Sequence, residues 1–372
     1  EVEGMRLRTG GRTYFGPNDL WRLEGFLAYG FRDDKFKYGI SGKWLLDKRS
    51  RLTVFGGNRR DIEQIGASLT SSTDVLGRSL ASNAVFTAGS NDKLTNINLT
   101  NLGLSIEPLR NFEVRLDGSF RTLSSASPTF SLDYNDAESS TRISSEIKQF
   151  ESRLALSYFP KREMTGFGVE RKEKNDNFAR LFAQVTRGDR NWFDSDFDYT
   201  KVQFSYIQPW QVGGFGRLVT SIEAGKTFGE VPLGLLSVVP GNQTYFSIYN
   251  TFSQLDFYEF VTDTYTSVHF EHNFNGRLFS RIPFLKKYNL RAIVGLRGVW
   301  GELSDENIAL STTGNPVEFP LIAPDTRMYY EYSFGVANIF KILRIDFNFR
   351  GNYLDNPDAR RFGVTGSFGF YF

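Results

Sequence analysis

The chain has 372 residues, no cysteine, and 44 basic against 42 acidic side chains, which give a formal net charge of +2. This balance indicates no strong attraction to nucleic acid, and the lack of cysteine excludes disulfides and cysteine-ligated metal ions. Aromatic residues make up 16% of the chain, yet the sequence contains no apolar run of about 20 residues, as a transmembrane helix requires. Strands that alternate apolar and polar residues explain both observations, so the composition favours a transmembrane β-barrel.

The first predicted strand covers about residues 3–14 and has two different faces. Arg6, Arg8 and Arg12 lie on one face, whereas the other carries Met5, Leu7 and Thr9. An arginine that faces lipid at the bilayer midplane costs about 2–4 kcal/mol, so we predict that the arginine face lines the lumen. Three similar strands follow before residue 61, joined by short charged turns.

From residue 61 to residue 93 the alternation stops, which predicts a long loop or insert. Strands resume at 95–106 and 111–122, and the second of these shows the clearest alternation in the chain. Its predicted inward residues are Glu113, Arg115, Asp117, Ser119 and Arg121. The lumen wall is therefore expected to carry charges of both signs.

The middle of the chain contains four more strands and a long apolar loop. The strands lie near residue 154 and at 178–187, 199–209 and 216–227, with an irregular charged stretch at 161–177 between the first two. The loop Gly229–Phe260 combines many aromatic residues with a turn at its centre, Pro240, Gly241, Asn242, Gln243, Thr244 and Tyr245. It either folds into the lumen and plugs it, or packs outside the barrel on itself or on a partner.

Five strands end the chain, at 263–272, 290–301, 327–338, 342–353 and 361–372. Their predicted inward residues include Glu331, Arg344 and Asp346. Fifteen strands can be read in all, and we predict sixteen because bacterial single-chain barrels have an even number of strands. The remaining strand is expected within 61–93 or 161–177. The fold class predicted is all-β: one transmembrane antiparallel barrel over residues 1–372, with long extracellular loops.

The first and last strands are expected to meet and close the barrel at a lateral seam. The predicted seam residues are Met5, Leu7, Thr9, Phe362, Val364, Phe368, Phe370 and Phe372. Six glycines lie in these two strands: Gly4, Gly10, Gly11, Gly363, Gly366 and Gly369. Glycine weakens strand pairing, so the seam could open laterally; alternatively, the glycines only relieve crowding in the barrel wall.

No catalytic, cofactor or metal site is predicted. His269 and His272 are three residues apart in one strand, so they point to opposite faces and cannot hold one metal ion together. The inward carboxylates lie among arginines, which indicates a solvated ladder of charges rather than a hydrolase pair. No nucleophile or phosphate-binding motif accompanies them.

Several stretches together resemble the carboxy-terminal barrel of a Bacteroidota outer-membrane family of unknown function. They are EGMRLR at 3–8, AYGFRDDKFKYG at 28–39, EAGKTFGEVPL at 223–233, PGNQTY at 240–245, EHNFNG at 271–276 and IPFLKK at 282–287. Members of that family usually carry a carboxypeptidase-regulatory-like domain at the amino-terminal side. The resemblance therefore implies a periplasmic domain that is absent from these 372 residues.

That family in turn resembles the BamA/TamA superfamily, whose 16-stranded barrels insert or translocate other outer-membrane and surface proteins. The strand before Gly229 and the long loop after it look like the superfamily's sixth outer loop, which folds into the lumen. The superfamily's Val-Arg-Gly-Phe/Tyr tip is not present, and Pro240–Tyr245 stands in its place. A salt bridge from that arginine to an acid on the inner wall is therefore not expected.

These observations leave three functions open in the bacterial outer membrane. The first is assembly, insertion or export of outer-membrane and surface proteins, as the superfamily resemblance implies. The second is a structural or accessory barrel in a larger complex, and the third is a diffusion channel for small solutes. The expected partners are outer-membrane lipid and lipopolysaccharide and other outer-membrane or periplasmic proteins, with no nucleic acid and no cofactor.

Overall fold

The computed structural model describes residues 2–16, 18–63, 65, 93–127, 129–135, 143–311, 321–356 and 359–369. Within these residues one 15-stranded sheet dominates the molecule, and the order of the strands in the sheet is their order in the chain. Its strands are β1 (Arg6–Arg12), β2 (Trp21–Gly30), β3 (Lys35–Asp47), β4 (Leu52–Glu63), β5 (Thr95–Leu109), β6 (Phe112–Ser125), β7 (Glu146–Tyr158), β8 (Arg180–Gly188), β9 (Tyr199–Gln211), β10 (Arg217–Phe228), β11 (Thr264–Asn273), β12 (Arg291–Glu302), β13 (Tyr329–Ile339), β14 (Leu343–Arg350) and β15 (Phe362–Phe368).

Every neighbouring pair in this sheet is antiparallel, as in Phe112↔Tyr158 between β6 and β7. Alternating burial follows the sequence pattern closely: Thr95, Ile97, Leu99 and Asn101 of β5 are buried, and the residues between them are not. The predicted alternation therefore gave the right strands because successive side chains point to opposite faces.

Small elements complete the described structure. Two-residue ladders join Tyr134–Asn135 to Ile143–Ser144, Met164–Thr165 to Lys172–Glu173, and Ser237–Val238 to Val261–Thr262. One α-helix, α1, spans Asp305–Leu310, and 3₁₀ turns occur at Gly213–Phe215, Leu233–Leu235, Phe279–Arg281 and Lys286–Tyr288. None of the helices described is long and apolar enough to cross a membrane.

The two ends of the sheet differ in the length of their connections. One end, the short-turn end, carries the connections 13–20, 48–51, 110–111, 159–179, 212–216, 274–290 and 340–342. The opposite end, the long-loop end, carries 31–34, 64–94, 126–145, 189–198, 229–263, 303–328 and 351–361, which are longer on average. In outer-membrane barrels short turns face the periplasm and long loops face outward.

Strands β1 and β15 run in the same direction, because fifteen strands alternate from one edge of the sheet to the other. Both start at the long-loop end. Among the described residues each pairs with one strand only, β2 and β14 respectively. The predicted closing pair between them is therefore not formed in the described part of the chain.

The position predicted for a sixteenth strand is wrong for residues 161–177. This stretch forms only the ladder between Met164–Thr165 and Lys172–Glu173, outside the main sheet. Its charged composition lacks the apolar alternation that a strand between lipid and lumen needs. The other predicted position, 61–93, falls mostly outside the described residues.

The hydrophobic core lies between the sheet and the loop that connects β10 to β11, residues 229–263, which we name the inner loop. Its larger cluster joins Val231, Leu233 and Leu235 of the loop to Leu123 of β6 and Ile147 of β7. A second cluster joins Phe252 and Phe260 to Val299 of β12 and Tyr329 of β13. The inner loop thus packs on strands from both halves of the sheet.

Candidate functional site

The inner loop is fixed to the wall by an apolar body and a series of polar contacts. Tyr258 is fully buried; its ring lies 4.6 Å from that of Phe130, and its hydroxyl lies 3.1 Å from Oγ1 of Thr95 on β5. Burial raises the pKa of the Tyr258 phenol, so it stays protonated in this contact. Of the two positions predicted for this loop, the described contacts favour the one inside the sheet.

Strand β13 supplies an acid to the loop backbone. Glu331 is 1% exposed and accepts hydrogen bonds from the backbone amides of Ser253 and Gln254, at 2.9 and 2.8 Å. The Tyr329 hydroxyl donates to the same carboxylate at 2.7 Å, and Arg297 lies 3.7 Å away. A buried carboxylate that accepts this many hydrogen bonds fixes the position of the loop along the strands of the wall.

The inner loop also supplies an acid of its own, which binds an arginine on β14. Glu259 binds Arg350 through Nη2 and Oε1 at 2.6 Å, and the Arg350 side chain is 0% exposed. Asn356 donates to the same oxygen at 3.1 Å. In the ion pair that the superfamily resemblance implies, the loop supplies the arginine and the wall supplies the acid. Here the roles are exchanged, because the loop supplies the acid and the wall supplies the arginine.

The predicted central turn, Pro240–Tyr245, is tightly folded against the rest of the loop. A Cβ on Gly241 would lie 2.6 Å from the carbonyl oxygen of Leu255, so only glycine fits there. Gln243 donates to Asp256 at 2.9 Å, and the side chain of Asn242 donates to the carbonyl of Phe246 at 2.8 Å.

Arg360, in the connection between β14 and β15, fastens this turn to the wall. Its guanidinium donates to the carbonyl of Leu255 at 2.8 Å and to that of Asn242 at 3.3 Å. It also lies 3.2 Å from Asp256. One arginine therefore binds both arms of the turn.

Beyond the turn, the segment Tyr245–Ser247 crosses the edge of β15, and we name it the strap. The amide of Gly366 donates to the carbonyl of Tyr245, and the amide of Ser247 donates to the carbonyl of Gly366, both at 2.8 Å. Phe246 and Gly366 thus form a parallel bridge. The Ser247 hydroxyl adds contacts to Asp346 at 3.1 Å and to Thr365 at 3.0 Å. The strap therefore lies along the edge of β15 that is opposite the edge paired with β14.

The predicted wall residues form ion pairs within their own strands and with residues of other strands. Arg115 and Arg153 bind the buried Asp117 at 2.9 and 3.4 Å, and Arg344 binds Asp346 at 2.7 Å. Arg344 also binds Glu271 at 2.7 Å. The expectation of a solvated ladder is therefore wrong for Asp117, Glu331 and Asp346, whose burial requires a charged or hydrogen-bonded partner.

The remaining wall predictions spread over a wider area. Arg6 binds Asp61 at 2.9 Å and Glu3 at 3.1 Å, and Arg12 lies 3.4 Å from Glu170 at the short-turn end. The guanidinium of Arg8 stacks 3.9 Å above the ring of Phe26. Glu113 lines a separate cavity of about 490 Å³ with Arg115 and Arg180.

A cavity of about 200 Å³ separates the inner loop from strands β4 to β12. It is lined by residues of both signs, among them Arg121, Glu151, Lys201 and Glu223. Lys201 donates to the carbonyl of Leu235 at 2.8 Å, which adds another contact between wall and loop. The mixed charges fit water better than any one class of ligand.

The predicted seam residues are exposed where they are described. Met5 and Leu7 are 69% and 68% exposed, and Phe368 is 69% exposed. Thr9, Phe362 and Val364 are exposed as well. Leu7 is near the long-loop end and Phe368 near the short-turn end, since β1 and β15 run the same way. Phe370 and Phe372 lie outside the described residues.

The two histidines are placed apart, and neither contributes to a metal cluster. The ring of His269 lies 4.8 Å from that of Phe252, and Nε2 of His272 lies 3.0 Å from the carbonyl oxygen of Phe215. In the part of the chain that the structure describes, no group of three or more histidine, aspartate or glutamate residues could hold a metal ion.

Several residues of the site were missed from the sequence: Asp256, Glu259 and Arg360 of the ion pairs, and Phe246 and Ser247 of the strap. One signal was available for the acids. Asp256 and Glu259 lie within an aromatic run, where an acid must find a partner because a lone buried charge is too costly. The strap has no such signal, because it binds through backbone groups.

Comparison with known proteins assigns the fold and leaves the activity open. A family described as "family of unknown function (DUF5686) C-terminal domain" matches residues 135–306. No curated protein matches the sequence at a significant level. The chain is similar to the structure of BamA from Haemophilus ducreyi lacking POTRA domains 1–3, with a TM-score of 0.51, 10% identity and coverage of 98% of this chain and 70% of that one.

It is also similar to CdiB from Escherichia coli, with a TM-score of 0.51, 13% identity and coverage of 99% of this chain and 60% of that one. The chain thus spans less than two thirds of the CdiB structure. CdiB from Acinetobacter baumannii matches with a TM-score of 0.46 and 12% identity, over 97% of this chain and 55% of that one. The chain therefore has an all-β antiparallel fold similar to outer-membrane β-barrels.

Proposed function

We propose that this chain is an outer-membrane barrel that takes part in the assembly, insertion or export of other outer-membrane or surface proteins. The observation that carries the proposal is the strap. Strand β15 accepts an extended backbone segment, Tyr245–Ser247, along an edge that no strand of the described sheet occupies. An edge that binds an extended segment through backbone groups can bind any polypeptide strand, whatever its side chains.

The fold and the outward side chains support the proposed outer-membrane placement. Leu7, Ile40, Leu102, Phe334 and Phe368 all point away from the inner loop and are exposed. Such a band of apolar side chains suits lipid. The resemblance to the BamA/TamA superfamily then supplies the activity class, which is action on other proteins.

The inner loop argues against the diffusion channel. It packs a core of fully or almost fully buried residues such as Val231, Phe252 and Tyr258 against the inner wall. It is held there by Glu331, Arg350 and Arg360. A loop with this many buried contacts leaves little room for a steady solute path.

The accessory barrel remains the second candidate, because the arginine tip that the superfamily uses is absent and its ion pair is reversed here. A scaffold would keep the inner loop for rigidity alone. In that case the strap would be one more anchor and would never leave β15.

Deletion of the gene followed by a quantitative survey of surface and outer-membrane proteins tests the proposal. We expect a subset of these proteins to fall in abundance and to recover when the wild-type gene is restored. Unchanged levels of all other outer-membrane proteins would refute the assembly role. In that case, loss of one stable complex would support the scaffold, whereas a large steady conductance of the purified protein in lipid bilayers would support the channel.

A further inference from the structure

Three successive connections at the short-turn end carry basic and apolar residues without any acid. They are 212–216 between β9 and β10, 274–290 between β11 and β12, and 340–342 between β13 and β14, and we name them together the basic rim. Five of their residues are lysine or arginine, and none is aspartate or glutamate. The connection 159–179 at the same end has five basic and four acidic residues. The imbalance of charge therefore belongs to the β9–β14 side of this end.

Contacts between neighbouring connections make the basic rim an ordered surface. Arg277 donates to the carbonyl of Gly214 at 2.9 Å, and its guanidinium lies 4.0 Å from the centre of the Phe215 ring. On the other side, the side-chain amide of Asn338, near the end of β13, donates to the carbonyl of Asn289 at 2.8 Å. The connection 274–290 is thus fixed to the hairpins on both sides of it.

The connection 274–290 leaves β11 on the outward side of the wall. Glu271 binds the inward Arg344, so the next residue, His272, points outward. The ring of Phe274 lies 4.2 Å from that of His272, and Nε2 of His272 lies 3.0 Å from the carbonyl oxygen of Phe215. The basic rim is therefore continuous with the outward surface of the strands.

The basic rim exposes aromatic and basic side chains next to one another. Phe340 is 89% exposed, and Phe284 and Tyr288 are exposed as well. Aromatic rings beside lysine and arginine are typical of segments that lie at a membrane surface. The exposed basic residues of the rim are Arg281, Lys286, Lys287 and Lys341.

We propose that the basic rim binds anionic phospholipid headgroups in the membrane leaflet at the short-turn end. The proposal rests on the proposed outer-membrane placement, in which short turns face the periplasm. The exposed rings lie at the boundary between headgroups and acyl chains, and the lysine and arginine side chains bind phosphate oxygens. A zwitterionic headgroup also has a phosphate, but its own cation offsets the attraction, so anionic phospholipid binds more tightly.

The continuity of the basic rim with the outward strands favours lipid over a protein as the occupant. A protein partner would have to cover a surface that borders the apolar side chains of β11 and β12, such as Phe270 and Leu296. Lipid already surrounds these strands in the proposed placement. The lack of acidic residues matches a surface of phosphate groups.

Lipid binding to the purified, delipidated natural polypeptide in detergent tests the proposal. Native mass spectrometry measures the binding of phosphatidylglycerol and of phosphatidylcholine. The rim variant combines three substitutions, Arg281→Gln, Lys286→Gln and Lys287→Gln. The control variant removes three exposed charges from the connection 159–179 at the same end, by Lys161→Gln, Lys172→Gln and Lys174→Gln.

We expect the rim variant to bind phosphatidylglycerol at least about tenfold more weakly than the wild type, because each basic group near an anionic surface adds to the attraction. It should bind phosphatidylcholine as the wild type does, and the control variant should bind both lipids normally. Equal binding of phosphatidylglycerol by the wild type and the rim variant, or an equal loss in both variants, would overturn the proposal. Heat-dependent mobility in gel electrophoresis checks that each variant is folded.

A photoreactive residue at Phe284 in intact cells identifies the occupant without removing any charge. We expect adducts with phospholipid. Adducts with a protein and none with lipid would overturn the assignment to lipid. Lipid binding by the purified protein does not depend on assembly activity, which the gene deletion tests separately. Recovery of the protein outside the outer-membrane fraction would refute the placement on which both proposals rest.

Discussion

Tyr258 and Glu259 are consecutive residues, yet they bind strands that lie nine places apart in the sheet. The Tyr258 hydroxyl meets Thr95 on β5, and the Glu259 carboxylate binds Arg350 on β14. In a flat sheet these two strands would be roughly 43 Å apart, at about 4.8 Å for each step. Two adjacent side chains reach both only because the sheet curls around them. The inner loop therefore holds the two halves of the wall at a fixed separation.

Replacing Glu259 by glutamine should destabilise the barrel strongly. Glu259→Gln keeps the shape of the side chain but leaves the Arg350 guanidinium, 0% exposed, without its charge partner. Loss of one member of a buried pair costs about 3–5 kcal/mol. The free energy of unfolding in denaturant, followed by tryptophan fluorescence in detergent, measures the change.

The matched control is Glu146→Gln, which breaks a pair with Lys148 in which both side chains are about half exposed. Exposed pairs contribute about 0–1 kcal/mol, so this variant should unfold almost as the wild type does. Equal losses of unfolding free energy in the two variants would show that the buried pair of Glu259 stabilises the barrel no more than an exposed pair does.

Gly241→Ala should loosen the central turn of the inner loop. The added Cβ would lie 2.6 Å from the carbonyl oxygen of Leu255 and 2.8 Å from that of Asp256, so the two arms of the turn must separate. We expect frequent conductance steps in planar bilayers, where the wild-type protein should be mostly closed. Gly11→Ala is the control, because its Cβ would meet no atom within 4 Å. A closed Gly241→Ala barrel would show that this turn does not control the path through the interior.

Locking the strap to β15 should stop protein assembly. Cysteines at Phe246 and Gly366 face each other in the parallel bridge, and a Cβ at Gly366 comes no closer than 3.4 Å to its neighbours. If polypeptide binding requires the strap to leave, oxidised cells should show the same loss of outer-membrane proteins as the deletion strain. Reductant should reverse the loss.

A cysteine pair at Ser237 and Thr262 provides the control for the lock, because it cross-links the inner loop to itself in a two-residue ladder away from β15. Oxidation of this pair should leave surface protein levels unchanged. If the locked strap is equally harmless, the strap is a static anchor, and the accessory-barrel alternative gains support.

Alkaline pH should destabilise the wild-type protein more than Tyr258→Phe. Burial raises the pKa of Tyr258 above the ordinary tyrosine value of about 10. Above that pH the unfolded chain loses its proton while the folded chain keeps it, so the stabilising contribution is complete below about pH 10 and declines as pH rises.

Denaturant midpoints from pH 8 to pH 11.5 measure this decline. Tyr258→Phe also loses the contact with Thr95, which should lower stability at neutral pH by about 0.5–1.5 kcal/mol. The control is Tyr245→Phe, because Tyr245 is 58% exposed. Parallel midpoint curves for the wild type and Tyr258→Phe would contradict the assignment.

The sequence was sufficient for the strands because their signal is local. Phe112 to Arg121 alternates without interruption, and β6 begins at Phe112 as the pattern indicates. The same local signal could not give the strand count. The even number was assumed from the barrel class, and the remaining strand was expected within 61–93 or 161–177. The second of these stretches forms a short ladder instead.

The site was harder to predict because its contacts join residues far apart in the chain. Asp346 and Arg344 were recognised as inward residues from their alternation, but their contacts to Ser247 and Glu271 depend on the curvature of the sheet. Arg360 lies in a connection without periodicity, so no pattern marked it. Backbone contacts such as those of the strap leave no trace in side-chain chemistry.

The inner loop is attached to β15 and to the connection before β15. Strand binding at the β15 edge and retention of the inner loop are therefore thermodynamically linked. Arg360 holds the central turn from that connection, and Gly366 holds the strap. If a strand that binds the β15 edge weakens the hold of the loop by some factor, a ligand that holds the loop must weaken strand binding by the same factor. A molecule bound at the cell surface could therefore regulate an event at the membrane-facing edge without reaching it.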